Sequence, residues 1–193
     1  MTLTMPENLP PYVFPPVSWF LQGLKNGCLN VAIGGNFEKQ TPRSRYTIAG
    51  PNNLQTLSLP IVHGGSALLA ETRISSQNPW VKEHIRAITT AYGGAPFFEF
   101  YDYRVLPLLN TDTMCLKELI VASIDCLHKQ LQCPVPLVYV DDWTYTDPKP
   151  QPPPYPQVFE DKHGFRPDVS ALDLLFNLGP EVPDYWDDFL RLT

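Results

Sequence analysis

The chain lacks most of the features that give an early answer. No apolar run among its 193 residues approaches the roughly 18 that a membrane-spanning helix needs, so no membrane span is expected. The opening MTLTMPENLPP has no basic stretch leading into an apolar one. It is not read as a secretory signal, and a cytoplasmic location is the expectation. There is no GxGxxG, P-loop, HExxH or GxSxG pattern. Cysteine is scarce: Cys28, Cys115, Cys126 and Cys133 show no CxxC spacing and are expected as free thiols in the core. The four histidines, at 63, 84, 128 and 163, stand at no metal-ligand spacing. No metal is expected, the cofactor is unknown, and no internal repeat is visible.

What is plentiful is proline. The chain has 22, where an average protein of this length has about 5%. Five fall in the first 16 residues and six between Pro148 and Pro156. With 44% hydrophobic and 12% aromatic residues, the chain can still bury a core, which excludes a coiled coil, a collagen or a largely disordered polymer. The net charge is −6, unevenly spread: residues 1–140 carry 10 Lys/Arg against 9 Asp/Glu, and residues 141–193 carry 4 against 11. The acidic end argues against nucleic acid as a partner, while basic residues of the first half can still hold an anion.

Pro15 and Pro16 suit a helix start, Val17, Phe20, Leu21 and Leu24 recur at helical spacing, and Gly27 ends the run. Residues 28–33 read as a buried strand. Tyr46–Ala49 and Leu54–Ile61 flank Gly50-Pro-Asn-Asn53, a hairpin signal, and Leu68–Ile74 reads as another strand. Asn78 and Pro79 open a helix to about Tyr92, with Val81, Ile85, Ile88 and Tyr92 on one face and Trp80 and His84 on its flank. A helix after Pro96, a longer one over 114–131 and a strand at Val135–Val140 follow. Residues 147–157, DPKPQPPPYPQ, form neither helix nor central strand and read as an extended connector. Helices near Ser170–Leu178 and Asp184–Leu192 close the chain. The expected fold is one mixed α/β domain over 1–193, a single sheet with flanking helices and a C-terminal helical arm joined by the proline-rich connector.

Three places carry chemistry. Arg43 and Arg45 are two apart, so an extended segment turns both to one face, suited to a bidentate grip on phosphate or carboxylate. The ordinary alternative is a solvated loop, or pairing with Glu38 and Glu71. His84 is the best general acid/base candidate, because imidazole titrates near neutral pH; a satisfied histidine at the core edge is the alternative. Asp173 follows Ser170 by three, a capping-box spacing that gives it a plain structural use. Gln157 lies where the connector docks and has a donor to offer a ligand. Tyr92 reads as core, with an aromatic wall as the other use.

Several segments together resemble the WbqC-like family of bacterial proteins: FPPVSWF (14–20), FEKQTPRSRYTIAG (37–50), LSLPI (57–61), Trp80 with His84, AYGGAPFFEFY (91–101) and YPQVFEDKHGFRPDVSALDLLFNLGPE (155–181). The resemblance implies a role in surface-polysaccharide (O-antigen) biosynthesis, as a transferase acting on an activated sugar or an aminoacyl precursor. It maps the family's recurring polar positions onto Gln40, Arg43, Arg45, His84, Gln157 and Asp173. Two departures stand out. The family run usually reads QTYRNR, and here Pro42 and Ser44 replace the Tyr and the Asn. A helix asparagine common in relatives is hydrophobic here, near Leu119 or Ile120. Two functions stay open: a transferase with His84 and Asp173 as catalytic residues and Gln40, Arg43, Arg45, Tyr92 and Gln157 holding a phosphorylated or carboxylated small molecule, or a non-catalytic binding or scaffold protein of a biosynthetic complex.

Overall fold

A computed structural model describes residues 7–39, 41–62, 68–76, 79–110 and 115–192. Helix α1 (Val17–Asn26) starts behind extended Pro16 and stops at Gly27, whose left-handed backbone (φ 71°) returns its N–H to the carbonyls of Gly23 and Leu24. Strand β1 (Leu29–Ala32) follows at once and is almost wholly buried. The hairpin forms as its turn residues indicate, from β2 (Arg45–Gly50) and β3 (Asn53–Ser58). Helix α2 (Trp80–Tyr92) packs on β2, and α3 (Phe98–Val105) and α4 (Leu116–Gln130) follow. Strand β4 (Leu137–Val140) precedes a long stretch with neither helix nor strand. The chain then makes α5 (Glu160–His163), α6 (Leu172–Leu178) and α7 (Val182–Leu192).

The mixed α/β composition holds, but the single sheet does not. Among the described residues the strands form two separate pairs, β1 with β4 in parallel and β2 with β3 antiparallel. The edges explain this. Beside β1 runs the N-terminal segment: Leu9 donates to the Asn30 carbonyl at 2.6 Å and accepts from Ala32 at 2.9 Å. On β2, the Thr47 carbonyl takes the Ser170 N–H at 2.8 Å, and β3 is exposed along most of its length. The outer edges of β1 and β2 are thus taken by other segments of the chain, and neither is open to the other pair.

Two further expectations change. Residues 69–71 make a 3₁₀ turn in place of a strand, because the Leu68 carbonyl is taken locally by the Thr72 hydroxyl at 2.8 Å and the Glu71 N–H at 3.1 Å. In α2 the buried face is Trp80, His84, Ile88, Ala91 and Tyr92, while Val81 and Ile85 are only half-buried. The stripe is rotated toward the expected flank because β2 lies there. Asn78, read as the cap, lies outside the described residues.

The connector is docked. Tyr12 donates to Asp147 at 2.7 Å, Tyr185 to the Pro153 carbonyl at 2.9 Å, and the Tyr155 ring sits edge-on to Phe165 and Tyr185. The C-terminal helices it leads to are central. Every residue of α6 is buried, and the Trp186 ring of α7 stacks with Phe20 of α1 at 6.2 Å between centroids. One hydrophobic core runs from Leu9 to Phe189.

Candidate functional site

Where the hairpin, the N-terminal segment, the connector and the chain just before α6 meet, a cleft of about 410 Å³ opens. Arg45 and Thr47 of β2 form one wall, Tyr12 and Phe14 another, and Asp147 and Asp168 stand on the rim. Two of its residues hold a backbone that side chains rarely adopt: Phe14 at φ 42° and Asp168 at φ 58°. Both are held by distant partners. The Phe14 N–H donates to the buried Ser123 hydroxyl on α4 at 3.1 Å, and Asp168 Oδ1 accepts the Ser18 N–H in the first turn of α1 at 3.1 Å.

The two arginines part company. Arg45 begins β2 and lines the cleft, and its Nε is buried with no hydrogen-bond partner among the described residues. Arg43 lies in the turn before the strand, so the alternation that would place both on one face does not reach it. Its guanidinium donates to the Asn36 carbonyl (2.8 Å) and the Tyr145 hydroxyl (3.0 Å), with Glu38 at 3.6 Å. Of the open alternatives, pairing with Glu38 is the one seen for Arg43. Gln40 lies outside the described residues.

His84 is 3% exposed and faces the hairpin. Its Nδ1 is 3.0 Å from the Tyr46 hydroxyl, and the ring also bonds the Ser58 backbone. Burial pulls its pKa down to about 4, so the ring is neutral at pH 7. Neutral imidazole has one donor and one acceptor. A ring that donates to the Ser58 carbonyl accepts from Tyr46, which fixes its tautomer. Trp80, one turn earlier, closes over it edge-on at 5.3 Å.

Tyr92, Gln157 and Asp173 form a second, interior group. Asp173 is 1% exposed and accepts from Gln157 Nε2 at 2.9 Å and Asn177 Nδ2 at 3.3 Å. Its side chain does not cap α6 as the spacing from Ser170 predicted. Instead the Ser170 hydroxyl accepts weakly from the Leu172 N–H at 3.4 Å. Burial raises the Asp173 pKa to about 6, against the pull of its neutral donors. Tyr92 stands beside the Asp173 carboxylate, and burial together with that carboxylate pushes the tyrosine far up. Gln157 also takes the Arg166 N–H (2.7 Å) and donates to its carbonyl (3.0 Å), closing the loop that leads to Asp168.

The expected residues thus divide among a cleft (Arg45), a loop clamp (Arg43), a buried pair behind the hairpin (His84) and a buried network (Tyr92, Gln157, Asp173). Sequence reasoning missed Asp147, Asp168, Phe14 and Tyr46. Asp168 sits inside the segment that carried the resemblance, which was its only signal; Asp147 was absorbed into the proline connector. Among the described residues no three His, Cys, Asp or Glu side chains gather to hold a metal ion; Cys28, Cys126 and Cys133 are free thiols, of which only Cys133 is buried in the core as expected. No helix among them is long and apolar enough to cross a membrane.

The family model that matches the chain is that of the WbqC-like protein family, over residues 11–151. That span includes Tyr12, Arg45, His84 and Asp147 and stops short of Gln157, Asp168 and Asp173. No curated protein and no solved structure matches the chain.

Proposed function

We propose, from the premise that this chain belongs to the WbqC-like protein family, that its cleft binds a small phosphorylated or carboxylated precursor. On this reading the protein acts in bacterial surface-polysaccharide biosynthesis as a transferase on an activated sugar or an aminoacyl compound. The observation that carries it is Arg45: a guanidinium without an ion pair among the described residues, on the wall of a cleft of small-ligand size. Around it, the cleft brings together chain segments more than a hundred residues apart. Two of its residues keep strained backbones, a cost that folds concentrate at functional sites.

The roles then follow from placement. Arg45 grips the anion. His84, neutral and engaged on both sides, positions Tyr46 and the base of β2. Gln157 and Asp173 hold the loop that presents Asp168. A second reading, a non-catalytic binding or scaffold protein, is favoured by one observation: His84 is buried and its ring is already engaged by Tyr46 and the Ser58 backbone, so the best acid/base candidate has little surface to offer a ligand.

A thermal-shift screen against nucleotide sugars, sugar phosphates and aminoacyl donors tests the cleft. A rise in melting temperature that disappears in Arg45→Gln supports it. Ligands that shift wild type and Arg45→Gln equally would overturn it. Turnover of a donor–acceptor pair by a variant lacking His84 would leave the transferase reading intact and remove His84 from the chemistry.

A further inference from the structure

The charge around the cleft is the wrong kind for a polyanion. One cation, Arg45, lines it against two carboxylates, Asp147 and Asp168. The other arginine of that loop is already spent on Asn36, Tyr145 and Glu38. Each rim carboxylate commits one oxygen to the protein. Tyr12 donates to Asp147 Oδ1, and the Ser18 N–H donates to Asp168 Oδ1. The second oxygen of each takes no hydrogen bond among the described residues, and both residues are exposed. Two carboxylates outweigh one guanidinium for any ligand carrying several negative charges.

The same wall suits a ligand with both signs. We propose that the cleft binds a zwitterion, with its carboxylate or phosphate on Arg45 and its ammonium group on the free oxygens of Asp147 and Asp168. The inference rests on the reading of this cleft as the ligand site, and narrows its ligand. Charge-assisted bonds at both ends fix the orientation of the molecule, which a lone guanidinium does not. The carboxylates are held in place for it. Asp168 is anchored on α1, and Asp147 is anchored on Tyr12. Free amino acids and aminosugar phosphates share this chemistry.

The test uses matched pairs that differ only by an ammonium in place of a hydroxyl. Calorimetric titration of the whole chain with glucosamine 6-phosphate against glucose 6-phosphate, and with alanine against lactate, reads the preference. UDP-glucose with and without Mg²⁺ is the polyanion control. The amino member of at least one pair binds about tenfold tighter or more, and the pair that shows it separates the two sources. In Asp147→Asn and Asp168→Asn the preference falls toward one while glucose 6-phosphate or lactate binds as well as before or better; asparagine tolerates the left-handed backbone at 168. In Arg45→Gln both members are lost. Equal binding within both pairs, still dependent on Arg45, overturns the zwitterion and leaves the cleft. UDP-glucose as the tightest Arg45-dependent ligand does the same. If no probe binds, or Arg45→Gln binds as wild type does, the cleft reading falls and this inference with it.

Discussion

His84 and Asp173 are shifted in opposite directions by the same cause, burial. His84 falls from an ordinary value near 6.5 to about 4, so between those values the unfolded chain holds a proton that the native one does not. Its contribution to stability rises with pH through that window. Asp173 climbs from 3.8 to about 6, so the native state holds the extra proton, and its contribution falls as pH rises from 3.8 to 6. Each contribution is on the order of 3 kcal/mol, and the two oppose between about pH 4 and 6. Removing one unmasks the other. In Asp173→Asn, stability rises with pH across this window more steeply than in wild type. In His84→Gln it rises less steeply, or falls. Urea midpoints at pH 4, 5, 6 and 7 read the slopes, and identical slopes in all three proteins would show that neither group is shifted. A second residue-scale prediction concerns Ser123. Ser123→Ala strands the buried Phe14 N–H and costs about 1–3 kcal/mol. It also weakens binding of any cleft ligand, because Phe14 then relaxes from its left-handed backbone; a Ser123→Thr variant that keeps the hydroxyl recovers both.

Among the elements, the loop between the connector and α6 is the informative one. Gln157 spans it, with its amide on the Arg166 backbone and on Asp173. A Gln157→Leu change leaves the Arg166 N–H and the carboxylate short of partners and costs about 2 kcal/mol. The Asp173 titration, followed by NMR, then moves above about 6, because a donor that lowers it is gone; no movement would mean that Gln157 is not its partner in solution. The hairpin shows the opposite relation of loop to element. Lys162 and His163 of α5 both donate to the Pro51 carbonyl in its turn, at 2.7 and 2.9 Å, so a short helix from the far end of the chain pins the hairpin that carries Arg45. Gly179 ends α6 with φ 48° and lies against Phe97, whose ring would stand 2.5 Å from an added Cβ. Gly179→Ala is therefore costly on two counts, by about 1 kcal/mol from the backbone and more from the ring, and a lowered denaturation midpoint checks it.

For the molecule as a whole, the C-terminal helices complete the core. Residues Leu172, Leu174, Leu175 and Phe176 are fully buried, and Trp186 lies between Phe20 and the Leu131 carbonyl, to which it donates at 3.0 Å. A chain cut after Pro154 exposes the apolar faces of α1, α2 and α4 and does not fold cooperatively. A sharp thermal transition by far-UV circular dichroism in that fragment would contradict this. The proline connector is the means. It lies along the N-terminal segment, tied at Asn8, Tyr12 and Tyr185, and delivers the C-terminal residues to the cleft.

Much of this was legible in the residues. The periodicity over 116–130, Gly27 as a stop and Gly50-Pro-Asn-Asn53 as a turn set their elements directly, because those signals act within a few residues of themselves. The spacing of Arg43 and Arg45 predicts two arginines on one face of an extended segment, and only Arg45 lies in the strand and on the cleft wall. What spacing did not decide is who else stands there. Arg43 is parted from Arg45 by a turn, Asp147 and Asp168 arrive from positions 102 and 123 residues beyond Arg45, and His84 is closed in by Tyr46 and Trp80. Propensity, capping and alternation are local, so the sequence determined the elements and the chemistry each can offer. Burial, shared walls and shifted pKa values arise only when distant segments exclude water together, and for these the tertiary structure alone decided.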